Sequence, residues 1–316
     1  MDTTQQARGQ RLSDHETVSG TTVHGWPSVG FGLLLVAAGV GTSILVLADS
    51  SVNATTLYLT LVACSTFVVG GLALVTHGVA GLRRMSVLRR ERARHPEEPW
   101  RWDHRWDEAG IRDDTVRRLT LWGYRALFFA MFMLPFNWLV FVSGDLAWFG
   151  MVAFGLVTVL FDLLVVYVFY RFVKSFLQYV RHGVGAIRYA RFPFFLGEPL
   201  EVSFVPTDRM SGLRELKATL RCVEERYEKF DFEDSDSSTT VIPYELYSDT
   251  HTFTGNPDTV GRSLDVNLSF ALPDNRPTTK LGERPPTYWE LEIEAEAPGV
   301  DYAATFLLPV YSRRPD

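Results

Sequence analysis

At 316 residues, with 47% hydrophobic and 22% charged side chains and a formal net charge of −6, the chain is long enough for two domains. The averages hide a split: apolar residues concentrate before Phe172, acidic ones after Gly197, and the basic residues cluster beside the apolar runs. An acidic soluble part speaks against nucleic-acid binding, and two cysteines, Cys64 in an apolar run and Cys222 in an expected strand, exclude a disulfide framework.

In chain order, residues 1–27 are polar, with Gly, Ser and Thr, and read as a disordered tail. No short apolar core with a small-residue cleavage site follows a basic start, so the first apolar run is expected to be a membrane helix and not a removable signal. A span needs about 20 mostly apolar residues. Four segments satisfy this within residues 28–183: Val29–Ala48, Leu57–Val79, Trp122–Val142 and Trp148–Tyr170. Trp26, Trp122 and Trp148 stand at span ends, where amphipathic rings favour the interface.

Arg and Lys set the expected orientation. The connections Asp49–Thr56 and Ser143–Ala147 carry none, whereas the segment at about 81–121 carries Arg83, Arg84, Arg89, Arg90, Arg92 and Arg94. Arg171, Lys174, Arg181 and Arg188 follow the fourth span. The positive-inside rule then places both termini and the 81–121 loop in the cytoplasm, with the chain in the inner (plasma) membrane. The preference for Arg over Lys suggests a GC-rich bacterial source.

Within that loop, Leu82–Arg94 reads as a basic extension of the second helix, broken by Pro96 and Pro99. Trp100, Trp102, Arg105 and Trp106 then form an aromatic and basic cluster, a candidate membrane-interface or partner site because Arg attracts anionic lipid and Trp anchors at the interface. The plainer alternative is a loop packed on the soluble domain. Asp113 and Asp114 are candidate caps for the helix entering the third span.

Asp162 is the sharpest residue inside a span. A carboxylate there costs roughly 2.5–3.5 kcal/mol on insertion scales, so it is expected to face the bundle interior and have a partner. Arg125 enters from the same side on the neighbouring span and is the expected partner; His77 and Asn137 are other polar candidates. An ion or proton site is the functional reading, a structural pair the plainer one. Gly30, Gly32, Gly39, Gly41, Gly70 and Gly71 point to close helix packing within the bundle, with homo-oligomer formation the alternative.

From residue 184 to 316 the period changes to alternation. Leu200–Phe204, Leu216–Leu220, Val266–Phe270 and Trp289–Ile293 alternate apolar and polar, Val241–Leu246 and Tyr302–Val310 are strand-like, and Pro- or Gly-containing turns separate them. An antiparallel β-sandwich with one apolar and one wet face is expected. The acidic run Asp231–Asp236, followed by Glu245, copies part of a calcium loop but lacks the central Gly and contains Pro243, so it reads as a solvated hairpin tip. No catalytic motif, cofactor fingerprint or metal-ligand spacing stands out.

The stretch Leu268–Pro273, a polar loop, then Tyr288–Ile293, Pro298–Tyr302 and Phe306–Val310 resembles the later strands of arrestin-like sandwiches, over about 50 residues. The whole chain, including Pro99–Trp102, also resembles a group of uncharacterised bacterial four-helix membrane proteins. The resemblance implies an arrestin-like or Ig-like binding module and carries no catalytic residues. The expected function is therefore a non-enzymatic, membrane-anchored adaptor or scaffold whose β domain binds a protein partner. A transporter or channel subunit using Asp162 is the alternative.

Overall fold

The computed structural model describes residues 9–12, 15, 17–18, 25–143, 147–207, 209–210, 215–232, 235–254, 265–297 and 299–313. The chain divides into two compact units, one of Val23–Met85 and Arg117–Phe176, the other of Met1–Thr22, Ser86–Val116 and Leu177–Asp316.

The first unit is helical. Helices α1 (Trp26–Ala48), α2 (Ala54–Arg94), α3 (Thr115–Phe141) and α4 (Trp148–His182) are all long and apolar enough to cross a membrane. Two of them overrun the apolar segments. Leu82–Arg94 contains no Gly or Pro, so α2 continues through it, and α4 continues past Tyr170 to His182 until Gly183, at φ 72°, ends it. Large apolar side chains such as Phe31, Leu45, Phe154 and Val166 point outward, as they do when lipid is the solvent.

Close packing of α1 on α2 rests on glycine. A Cβ on Gly32 would lie 2.6 Å from the Gly71 carbonyl oxygen, and one on Gly71 would lie 2.6 Å from that of Gly32. Gly39 meets the Cys64 carbonyl and Gly78 that of Gly25 in the same way, whereas Gly30 and Gly41 face open space. Gly70 approaches Phe128 of α3, and Phe67 makes an edge contact with Phe132. Gly123 of α3 receives Phe172 of α4.

The second unit is built on strands β1 (Gln10–Arg11), β2 (Gly110–Arg112), β3 (Ala186–Tyr189), β4 (Phe194–Phe195), β5 (Pro199–Val205), β6 (Glu215–Phe232), β7 (Ser235–Thr254), β8 (Val266–Ala271), β9 (Thr287–Ala295), β10 (Tyr302–Leu308) and β11 (Val310–Tyr311). One sheet has the order β1-β7-β6-β9-β10, a second β2-β3-β5-β8, and both are antiparallel. The short β4–β11 pair is parallel, a departure from the uniformly antiparallel expectation, because β11 follows β10 directly and passes alongside Phe194 and Phe195. One apolar cluster takes Leu200, Val202 and Phe204 from the second sheet and Leu220, Leu291 and Ile293 from the first. The alternation seen in sequence accounts for this, since period-2 strands present every second side chain to the same face.

Two segments join this unit from outside residues 184–316. Residues 110–112, inside the loop assigned with the helices, form edge strand β2; a Cβ on Gly110 would lie 2.0 Å from the Ile187 carbonyl, so only glycine fits there. Residues 10–11, inside the tail expected to be disordered, pair with Glu245 and Tyr244 of β7. The order comes from backbone pairing at an open sheet edge, which composition does not report. At the start of β7, Ser235 pairs with Phe232 of β6; the acidic run read as a hairpin tip falls here, and its Glu233 and Asp234 are outside the described residues.

Candidate functional site

Pro96 and Pro99 end the α2 extension, and Pro99–Arg101 form a single 3-10 turn. The turn brings round the aromatic cluster. Trp100 makes edge contacts with Phe195 and Tyr311, each with ring centroids 5.9 Å apart. Trp102 donates its indole N–H to the His95 carbonyl at 2.9 Å, and the Arg92 guanidinium lies 5.2 Å from its ring centre. Trp106 donates to the Tyr311 hydroxyl at 3.0 Å and packs beside His104. Arg105 is exposed. Trp100 and Trp106 thus contact strand residues Phe195 and Tyr311, whereas Trp102 contacts His95 and Arg92 beside its own turn.

Between these walls is a cavity of about 610 Å³. Trp100, Trp102, Phe195 and Tyr311 supply its aromatic surface; Arg92, Lys280 and Arg313 supply cations, and Glu97 and Glu283 anions. Arg313 is also held by Glu198 at 2.5 Å and stands 5.1 Å over the Phe195 ring. The cavity lining mixes flat aromatic faces with a few groups of either charge.

Asp103 organises the floor. It is 2% exposed. Oδ2 accepts the Leu281 N–H at 2.9 Å and the Tyr311 hydroxyl at 3.3 Å, and Oδ1 accepts the Gly282 N–H at 2.5 Å. Burial pushes its pKa above the usual carboxylate value, against the pull of these three donors. Burial, reinforced by the Asp103 charge, pushes the Tyr311 phenol upward too. Asp103 escaped sequence reasoning, although a lone acid inside a Trp- and Arg-rich run was a visible signal. Phe195, Lys280 and Arg313 were missed because they lie about 90–210 positions along the chain from the loop.

Asp113 serves two elements: Oδ1 accepts the Thr115 N–H at the start of α3, and Oδ2 accepts the Gly185 N–H at 2.9 Å and the Tyr302 hydroxyl at 3.0 Å. The expected helix cap is present and is also a tie to β10.

Among the helices, Asp162 Oδ1 accepts a hydrogen bond from Asn137 Nδ2 at 3.0 Å. Asn137 also donates to the Met133 carbonyl in its own helix at 3.1 Å. Arg125 instead stacks over Trp122 at 4.8 Å, and Arg171 stands over the same ring at 5.0 Å. The structure therefore does not bring Arg125 to Asp162. The two are set apart by length: Arg125 precedes Asn137 by 12 residues, about 18 Å of helix. The acceptor oxygen that Asn137 uses is also present in an amide, so Asp162→Asn should leave folding nearly intact. A double-mutant cycle with Asp162→Leu and Asn137→Leu should give a coupling of about 0.6 kcal/mol and no more than about 1.7. A coupling several times larger, read from unfolding in detergent, would contradict this assignment.

Among the described residues, no group of three or more His, Cys, Asp or Glu side chains could hold a metal ion. Comparison with protein-family models finds no match for this chain, and comparison with curated proteins finds none either.

Proposed function

We propose that this is a membrane-anchored, non-enzymatic adaptor whose β unit, an arrestin-like sandwich facing the cytoplasm, captures an extended segment of a protein partner in the cavity between the Trp100–Trp106 loop and Tyr311. The observation that carries this reading is the cavity itself, with aromatic walls and with Arg92, Lys280 and Arg313 at its rim. Aromatic and Arg side chains are the groups that supply most of the energy at protein interfaces. The cytoplasmic placement is supported by the one-sided distribution of Arg and Lys around the spans. The inner membrane of a bacterium is the setting that distribution and the Arg-rich composition favour. The transport reading has weaker support, because the intramembrane carboxylate is bonded to Asn137 and not to a charged relay.

The test is photocrosslinking in the native membrane, with a benzophenone side chain at Glu283 on the cavity rim and, as a control, at exposed Glu201 on β5. A discrete protein adduct is expected from position 283 alone, and Trp102→Ala together with Arg313→Glu should reduce it at least tenfold. Adducts of equal yield from both positions, or adducts with lipid only, would end the adaptor reading.

A further inference from the structure

The outer face of the five-stranded sheet is dry where it should be wet. On β9, Trp289, Leu291 and Ile293 point into the core, so Tyr288 and Glu290 point outward, yet Tyr288 is 0% and Glu290 1% exposed. Their neighbour Glu225 on β6 is also 0% exposed. What covers them is the chain's own N-terminal segment. Gln10 and Arg11 pair with the β7 edge, Leu12 donates its N–H to the Pro243 carbonyl at 3.0 Å, and the Val18 N–H reaches Glu225 Oε1 at 2.5 Å. Between them His15 Nε2 sits 3.2 Å from Glu290 Oε2 and 3.3 Å from the Tyr288 hydroxyl, which itself donates to Glu225 at 3.3 Å.

We propose that this face is a peptide-binding site for an extended segment bearing a cationic imidazole, that the N-terminal segment carrying Gln10, Arg11, Leu12, His15 and Val18 is its resident ligand, and that protonation of His15 locks it in place.

Three features make it a built site and not a chance contact. Two carboxylates are fully buried, and one oxygen of Glu290, Oε1, has no hydrogen-bond partner, so the slot holds more negative charge than its own residues satisfy. Arg221 is shared among three carboxylates, at 2.6 Å from Glu292, 3.2 Å from Glu245 and 4.0 Å from Glu290, so it does not by itself balance their charge. The backbone attachment is short: the described strand β1 pairs two residues of a twenty-residue edge strand. With Leu12 on Pro243 and Val18 on Glu225, this attachment brackets His15, a described side chain of the segment whose charge changes near neutral pH.

The groups facing His15 are Tyr288, Glu290 and Glu292 of β9 and Arg221 and Glu225 of β6, with Glu245 of β7 behind Arg221. Burial pulls the imidazole pKa down and Arg221 adds to that, but the Glu290 hydrogen bond and charge, with Glu292, outweigh them, so the pKa is raised. The sign follows. A group whose bound pKa exceeds its free value of about 6.5 favours the bound state below that value. The advantage disappears as pH rises through the bound pKa. The segment therefore closes in mild acid and is exchangeable in alkali, where a competing strand with a fixed cation at the His15 position would displace it.

The test uses the full chain in detergent or nanodiscs, with spin labels on Arg11→Cys and Thr252→Cys. The native cysteines are buried, and burial pushes the Cys222 thiol up to about 12, so neither takes label. Arg11 lies opposite Tyr244, eight residues from Thr252, so the expected backbone separation is about 27 Å. A single narrow distance is expected at pH 5.5, with a broad longer component at pH 8.5. The same narrow distribution at both pH values would overturn the exchange. In parallel, a synthetic peptide of residues 9–18 should bind a chain lacking residues 1–18 severalfold tighter at pH 5.5 than at pH 8.5. The His15→Ala peptide should lose that difference. No binding to a truncated chain that keeps its sheet signal in circular dichroism would overturn the proposal, and should truncation unfold the sheet, the full-chain distances decide alone.

Discussion

Asp103→Ala is expected to destabilise the β unit by roughly 2–4 kcal/mol, the largest single-residue loss in the loop. The physical reason is that one side chain satisfies three donors from two separate chain segments, the adjacent Leu281 and Gly282 and the distant Tyr311. Each donor left without an acceptor costs about 1–3 kcal/mol, less where water can reach it, as it can at exposed Gly282. Tyr311 adds to the effect, because its hydroxyl bridges Asp103 and the Trp106 indole. Asp103→Asn should rescue only part of the loss. The two backbone N–H groups fall on different carboxylate oxygens, so an amide must turn its NH₂ toward one of them. The pH dependence separates this from simple cavity formation. The folded-state pKa of Asp103 is raised, so the folded protein holds that proton more tightly than the unfolded one, whose value is near 3.9. Its contribution is fullest below about pH 3.9 and is lost as pH rises through the folded value. The Asn penalty should therefore shrink between acid and neutral pH, whereas a penalty that grows with pH would show that the three donors outweigh burial. Equilibrium unfolding of the full chain in mild detergent, followed by the sheet signal, reads both.

The helices were legible because lipid as solvent leaves a coarse signature, long runs with few charges, and the alternating strands were legible for the same kind of reason. Their limits were less so. Nothing in an apolarity count marks Leu82–Arg94 as helix, since its continuity depends on the absence of breakers and not on hydrophobicity. Asp162 was identifiable as a polar residue needing a partner, but the partner was chosen by charge, and the structure chose by height along the helix, giving Asn137. The Trp cluster was visible as a cluster. Its role as part of a cavity was not, because half of the wall comes from Phe195, Lys280 and Tyr311, and no local pattern reports such distant pairing. Trp289–Ile293 shows the same limit most sharply. Alternation correctly set Trp289, Leu291 and Ile293 inward, but it made Glu290 a solvated residue, and it is the contact of His15, from the segment that pairs with β7, that covers it.

Gly71→Leu is expected to prevent α1 from seating on α2, and even Gly71→Ala should cost about 1–3 kcal/mol, the range for overpacking a close contact. Helices in a membrane lack a hydrophobic force toward each other, so their association depends on how near the backbones come. At this crossing the contact is reciprocal: a methyl on Gly32 or on Gly71 meets the other residue's carbonyl oxygen at 2.6 Å, and backbone cannot swing aside as a side chain can. Reciprocity gives a stronger test than either substitution alone. Once one Cβ has forced the helices apart, the second has less to clash with, so Gly32→Ala and Gly71→Ala together should cost clearly less than their sum. Gly30→Ala and Gly41→Ala provide the controls, since a Cβ at either position meets nothing within 4 Å, and both should be neutral or slightly stabilising. The pattern could have been read in advance: Gly32 and Gly39, like Gly71 and Gly78, are seven residues apart and share one helix face, whereas Gly30 and Gly41 fall outside that spacing. Additive losses for the two inner glycines, or equal losses for all four, measured by unfolding in mixed micelles, would mean that helix propensity and not backbone approach sets the cost.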